Sequence, residues 1–228
     1  MGAAIRPTLP LLGVALAAAR GDAALPATIA RARRAGWPRA ALEEIALMLT
    51  LYAGYPSAIE MLRVLQAVWP ATAPGAGEVG PGARRARGLA TLARVYGPLR
   101  PRLLRGLATL HPALAAWVIE HGYGRVLARA RLDLRTRELV TVAMLAAGGW
   151  ERQLVAHELG ARRAGATRAQ VQAARVTGAR TRNAGPGSAP GAPAAVRAKR
   201  SRASRRATQP ALRRPGRPGR GRGFRAGR

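Results

Sequence analysis

The 228-residue chain carries 39 Lys+Arg against ten Asp+Glu, a net charge of +29, and has no cysteine. The missing thiols exclude disulfides, thiolate nucleophiles and cysteine metal sites, and three scattered histidines, His111, His121 and His157, make no zinc-ligand pattern. Fifteen of the basic residues lie in 180–228 with no acid among them, so residues 1–179 hold 24 basic against ten acidic residues, or +14, and the extreme of the charge belongs to the tail.

Ala, Leu and Arg are good helix formers and dominate the chain. No Val/Ile/Thr-rich run alternates with period two, so the expected class is all-α. At the N-terminus, Arg6 precedes LPLLGVALAAA, the make-up of a short secretory leader. The apolar run is too short to span a bilayer. The internal repeat described next favours a first core helix near 10–20 instead, in a cytoplasmic protein with no membrane partner.

RRAGWPRAALEEI from Arg33 and RRAGATRAQVQAA from Arg162 resemble each other at an offset of 129. Both read as helix, glycine stop, new helix, which suggests a duplication. Gly165 suits the left-handed residue that closes a helix, and Thr167 with Gln170 makes a capping-box pattern. In the first copy Pro38 suits a first-turn position. Helices are predicted near 10–20, 27–35, 39–52 and 57–68, the third with an apolar stripe of Leu42, Ile45, Leu49 and Tyr52. The Pro/Gly/Ala-rich stretch 71–86 reads as a linker between a first unit, 1–70, and a second, 87–177. Further helices are predicted near 87–96, 101–120, 134–147, 151–164 and 168–176. Gly122 and Gly124 mark a break, and Asp133 is placed to cap the next helix. Residues 178–228, rich in Arg, Gly, Pro and Ala, cannot bury enough apolar surface to offset chain entropy and read as a disordered tail. Its arginines offer nucleic acid an arm that neutralises phosphates. The alternative is a solvated extension.

The segment 132–170, LDLRTRELVTVAMLAAGGWERQLVAHELGARRAGATRAQ, holds the residues suited to chemistry. Glu138 and His157 fall on successive helices, with Arg129, Arg137 and Arg152 near in sequence. A carboxylate, an imidazole and guanidinium groups suit proton transfer on a small anionic substrate. Each also has a structural reading. Glu138 is equally an acid near a helix start, His157 a hydrogen-bonded helix residue, and Arg129 and Arg137 partners for Asp133 or Glu138. Tyr52 and Trp150 read as packing residues, Glu151 and Glu158 as solvated.

On Tyr123, Gly124, Arg129, Leu132, Asp133, Arg137, His157, Gly165 and Thr167, taken in order, the chain resembles the carboxymuconolactone decarboxylase family. LYAGYPSAIEML in the first unit is similar to that family's later Tyr-Ala-Gly-aromatic-Pro helix pair. The resemblance covers roughly residues 1–176 as two fused units and implies an alkylhydroperoxidase-like helical bundle, homo-oligomeric, with a cofactor-free decarboxylase site. It implies His157 and Glu138 as catalytic residues, Arg129, Arg137 and Arg152 as substrate-binding residues, and a lactone acid such as γ-carboxymuconolactone as substrate. The alternative is a non-catalytic relative that serves as an oligomerisation module. Thiol peroxidases of the superfamily place Glu, two cysteines and His at positions that here are Glu138, Trp150, Gln153 and His157. A thiolate to attack peroxide and a thiol to resolve it are both missing. In the first unit Leu9 and Thr28 stand at the positions of Glu138 and His157. After Val171 the family's last helix pair gives way to VTGARTRNAGPGSAPG, a composition that a frame shift in a GC-rich gene would also produce.

Overall fold

The helix-forming composition produces ten α-helices, one 3₁₀ turn and one π-helix, and no strand, among the described residues, which are 8–184 without 73, 74, 76 and 79 of a computed structural model. The helices are α1 (Leu9–Ala19), α2 (Leu25–Arg34), α3 (Arg39–Tyr52), α4 (Gly54–Val68), α5 (Pro81–Tyr96), α6 (Arg100–Leu110), α7 (Pro112–Trp117), a π-helix (Val118–Leu127), α8 (Leu134–Gly148), α9 (Glu151–Arg163) and α10 (Arg168–Asn183). The all-α expectation holds. No described helix is long and apolar enough to cross a membrane.

The leader-like run forms α1, with Leu11, Leu12, Val14 and Ala15 sealed in the core. It packs on α2 and α3 from the first predicted unit and on α8 and α10 from the second. Helices of both segments therefore share one apolar core rather than closing two separate ones. The two similar stretches have matching element boundaries. α2 and α9 end at Arg34 and Arg163, and α3 and α10 start at Arg39 and Arg168, the same offset of 129. Gly36 and Gly165 both take positive φ, 79° and 94°, to turn the chain between them. The Thr167–Gln170 capping box is formed in both directions, whereas Pro38 sits at the N-cap of α3 and not in its first turn.

Three expectations need correction. The linker is shorter than 71–86, because α5 starts at Pro81, a residue pre-set for the first helical turn. The helix expected over 101–120 is broken at His111. Pro112 forces the preceding residue into extended backbone, and His111 then caps α7 by accepting from the Ala113 N–H at 3.1 Å. The break expected at Gly122 and Gly124 is a continuous π-helix. Gly124 of the π-helix and Gly88 of α5 are used for packing: a Cβ on Gly124 would lie 2.1 Å from the Arg84 carbonyl oxygen, and one on Gly88 would lie 2.0 Å from that of Ile119. The two backbones thus touch where α5 crosses the π-helix.

The tail boundary is the fourth correction. α10 does not stop near 176 but runs to Asn183. Gly178, read as the onset of the tail, is buried against α8, where a Cβ would meet the Ala143 carbonyl oxygen at 2.1 Å. The absent side chain that weakens the helix signal is what lets α8 and α10 approach. The rest of the expected tail, from 185 onward, lies outside the described residues.

Candidate active site

Asp133 starts the construction. Its carboxylate accepts from the Thr136 N–H at 2.9 Å and the Thr136 hydroxyl at 2.7 Å, fixing the first turn of α8. Glu138 follows in the second turn and points into the core, fully buried. The chain then reverses so that α9 lies against α8. There His157 Nδ1 comes within 2.8 Å of Glu138 Oε2. Only 6% of His157 is exposed. Gly160 makes room for the pair, since a Cβ there would sit 2.6 Å from both Glu138 Oε2 and Val95 Cγ1. With Glu138 ionised, Nδ1–H donates to it and leaves Nε2 to act elsewhere. Glu138 Oε1 is buried and has no hydrogen-bond partner.

Three tyrosines crowd this pair. The ring of Tyr96 meets His157 edge-on, centroids 6.0 Å apart and planes at 73°. Tyr123 packs edge-on against Tyr96 in turn, and its hydroxyl donates to the Tyr96 hydroxyl at 3.3 Å. The Tyr52 hydroxyl bonds that of Thr141 at 3.0 Å, one turn along α8 from Glu138. Desolvation raises all three phenols above their ordinary value, and the nearby negative charge of Glu138 adds to it in each case. They remain neutral hydroxyls around a buried carboxylate.

Arg129 and Arg137 are brought together, but around a different partner from those the sequence offered. Glu44 of α3 accepts from Arg129 Nε with both oxygens, at 2.9 Å each, and from Arg137 Nη2 at 2.8 Å. Arg137, wholly buried, also donates to the carbonyls of Leu132 (3.1 Å) and Arg129 (2.8 Å). Burial lowers its guanidinium's proton affinity, and Glu44 offsets part of that. Two guanidiniums on one carboxylate leave a net positive charge one residue from Glu138. Arg152 is exposed on α9 and is not drawn into this cluster. Trp150 and Gln153, at the positions of the redox cysteines, are exposed as well.

The model of the carboxymuconolactone decarboxylase family matches residues 112–198. The likeness is to that segment and not to the chain as a whole. It includes Tyr123, Arg129, Arg137, Glu138 and His157, whereas Glu44, Tyr52 and Tyr96 lie ahead of it in the chain. No curated protein and no solved structure matches the chain.

Sequence reasoning missed Glu44, Tyr96 and Gly160, and took Tyr52 for packing alone. Nothing local separates Glu44 from Glu43, which pairs with Arg39 in its own helix. Glu44 becomes distinctive only through residues 85 and 93 positions away. A better signal was available for the tyrosines: three of the chain's four lie in this one cluster.

Proposed function

We propose that the chain is a carboxymuconolactone decarboxylase-like enzyme that removes CO2 from a small lactone acid without a cofactor. The observation that carries the reading is the buried Glu138–His157 pair, 2.8 Å apart, inside the segment of the family match. Cleavage of the carboxylate's C–C bond expels CO2 and leaves its electron pair on a dienolate conjugated with the lactone carbonyl. His157, protonated at Nε2, delivers the proton that quenches this carbanion, and solvent restores it. Glu138 is a positioning residue that holds the imidazole through Nδ1. The positive excess of Arg129 and Arg137 over Glu44 favours an anionic substrate and the charge that develops on its oxygen. Arg152 is kept as a substrate contact at the exposed start of α9. The absent cysteines rule out the thiol peroxidase chemistry of the superfamily.

The test is turnover of γ-carboxymuconolactone, followed by CO2 release, with the product carbon taking up deuterium in D2O. His157→Ala is expected to lower kcat/KM by about 10²–10⁴-fold. Glu138→Gln should leave part of the rate but shift its pH profile. No turnover by the intact chain refutes the reading. The near-complete burial of both side chains favours a second reading, in which the pair is a structural bridge in a non-catalytic family relative. In that case both variants would lose stability and there would be no activity to lose.

A further inference from the structure

On the other flank of the π-helix lies a cleft of about 340 Å3. Leu47 and Thr50 of α3, Tyr55 of α4, and His121, Arg125 and Val126 of the π-helix line it. His121 and Arg125 each stand two residues from Tyr123, so helical winding sends them roughly opposite to the side chain that reaches the Tyr96–His157 cluster. The cleft is thus a separate place from the Glu138–His157 pair.

Its lining mixes two chemistries. The guanidiniums are Arg125, and Arg129, which also lines the cleft while held by Glu44 and by the Gly77 carbonyl at 3.3 Å. His121 stands beside them, its proton affinity lowered first by burial and then by Arg125, with Glu78 opposing. Leu47, Val126 and the ring of Tyr55, 61% exposed, add apolar lining. Thr50 adds a hydroxyl. One acid reaches the cleft: Glu78 Oε2 lies 3.2 Å from Arg125 Nε, and the other oxygen 3.8 Å from Arg84 Nε. The position a bound anion would take is therefore already used by a carboxylate on the short connection between α4 and α5. That carboxylate is half exposed and so gives little up by turning to water.

We propose that this cleft binds a small aromatic or unsaturated carboxylate, its charge against Arg125 and His121, its flat body on Leu47, Val126 and Tyr55, in competition with Glu78. The proposal does not depend on the decarboxylase reading, because these six residues have no part in it; Arg129 alone lines the cleft and also joins the Glu44 cluster. A π-helix is a common host for such sites, since its extra residue per turn sets side chains where an α-helix would not.

The probe is benzoate, titrated by calorimetry into the full chain, with benzamide as its uncharged match. Saturable binding in the millimolar range or tighter is expected, with benzamide at least about tenfold weaker, the weight of one charge-assisted contact. Arg125→Gln should weaken benzoate by at least about tenfold, and Glu78→Gln should strengthen it. His157→Ala should leave it unchanged. Binding that does not saturate, or that Arg125→Gln leaves intact, is diffuse attraction to a basic chain and overturns the proposal. So does binding lost in His157→Ala, which would put the ligand at the pair instead.

Discussion

Replacing Glu44 with alanine would leave the Arg137 guanidinium in the core without its carboxylate. Arg137 has no exposed surface, so water cannot take the place of the lost oxygen without local opening. Arg129, with 10% of its side chain exposed, can turn partly to solvent and contributes less to the loss. Removing one partner of a buried pair costs about 3–5 kcal/mol. For a domain of this size each kcal/mol lowers Tm by about 2–4 °C, which gives a fall of about 6–20 °C. The assay is thermal melting followed by helical circular dichroism, with urea unfolding beside it. Glu44→Gln should fall between wild type and Glu44→Ala, since its amide oxygen still accepts one bond. The combination Glu44→Leu with Arg137→Met should cost much less than Glu44→Ala, because it removes both charges and fills the space with apolar atoms. A Glu44→Ala chain within about 1 kcal/mol of wild type would show that the bridge is not a structural clamp.

Gly178→Ala should destabilise by about 1–3 kcal/mol, although the same change in an open helix stabilises by up to about 1 kcal/mol; a gain in Tm would disprove the close crossing of α8 and α10. Alkaline titration watched at the tyrosinate band should show Tyr52, Tyr96 and Tyr123 resisting ionisation, since burial raises all three. Their contribution to stability is intact below about pH 10, the ordinary phenol value, and is lost above it as unfolded chains ionise first; early absorbance from more than one tyrosinate with helicity intact would contradict this. Asp133→Ala should cost about 0.5–2 kcal/mol through the lost cap of α8, while Asp133→Asn should restore most of it.

How far the sequence could be read follows from the range of each interaction. Helix starts fixed by one or two neighbours were legible: the Asp133 cap, the Thr167–Gln170 box and the turn at Gly165 all depend on residues within a few positions. Glu138 and His157 were legible as a pair because they sit nineteen residues apart on adjacent helices. Glycines misled wherever their use was tertiary. At Gly124 and Gly178 local propensity argued for breaks, but close packing of helix on helix repaid the missing side chains. The partners of Arg129 and Arg137 were illegible for a related reason. Asp133 and Glu138 were near in sequence, yet an arginine's reach is decided by which helix packs beside it, and that helix was α3.

The first seventy residues bear on the site in a way their own motifs do not suggest. At the positions that repeat Glu138 and His157 they have Leu9, which is mostly exposed, and Thr28, whose hydroxyl is spent on the Leu25 carbonyl. By that measure the half is empty of chemistry. Yet α3 supplies Glu44, which holds Arg137 next to Glu138, and Tyr52, whose hydroxyl meets Thr141 one turn further along the same helix. Both contacts cross from the segment before the family match into the segment it covers. If the two halves arose by duplication, the first has exchanged a pair of its own for a role in shaping the other's. A chain cut between α4 and α5 would then keep Glu138 and His157 but lose the carboxylate that neutralises a fully buried guanidinium beside them. The residues that make the pair are local to one half, and the environment that sets its charge comes from both.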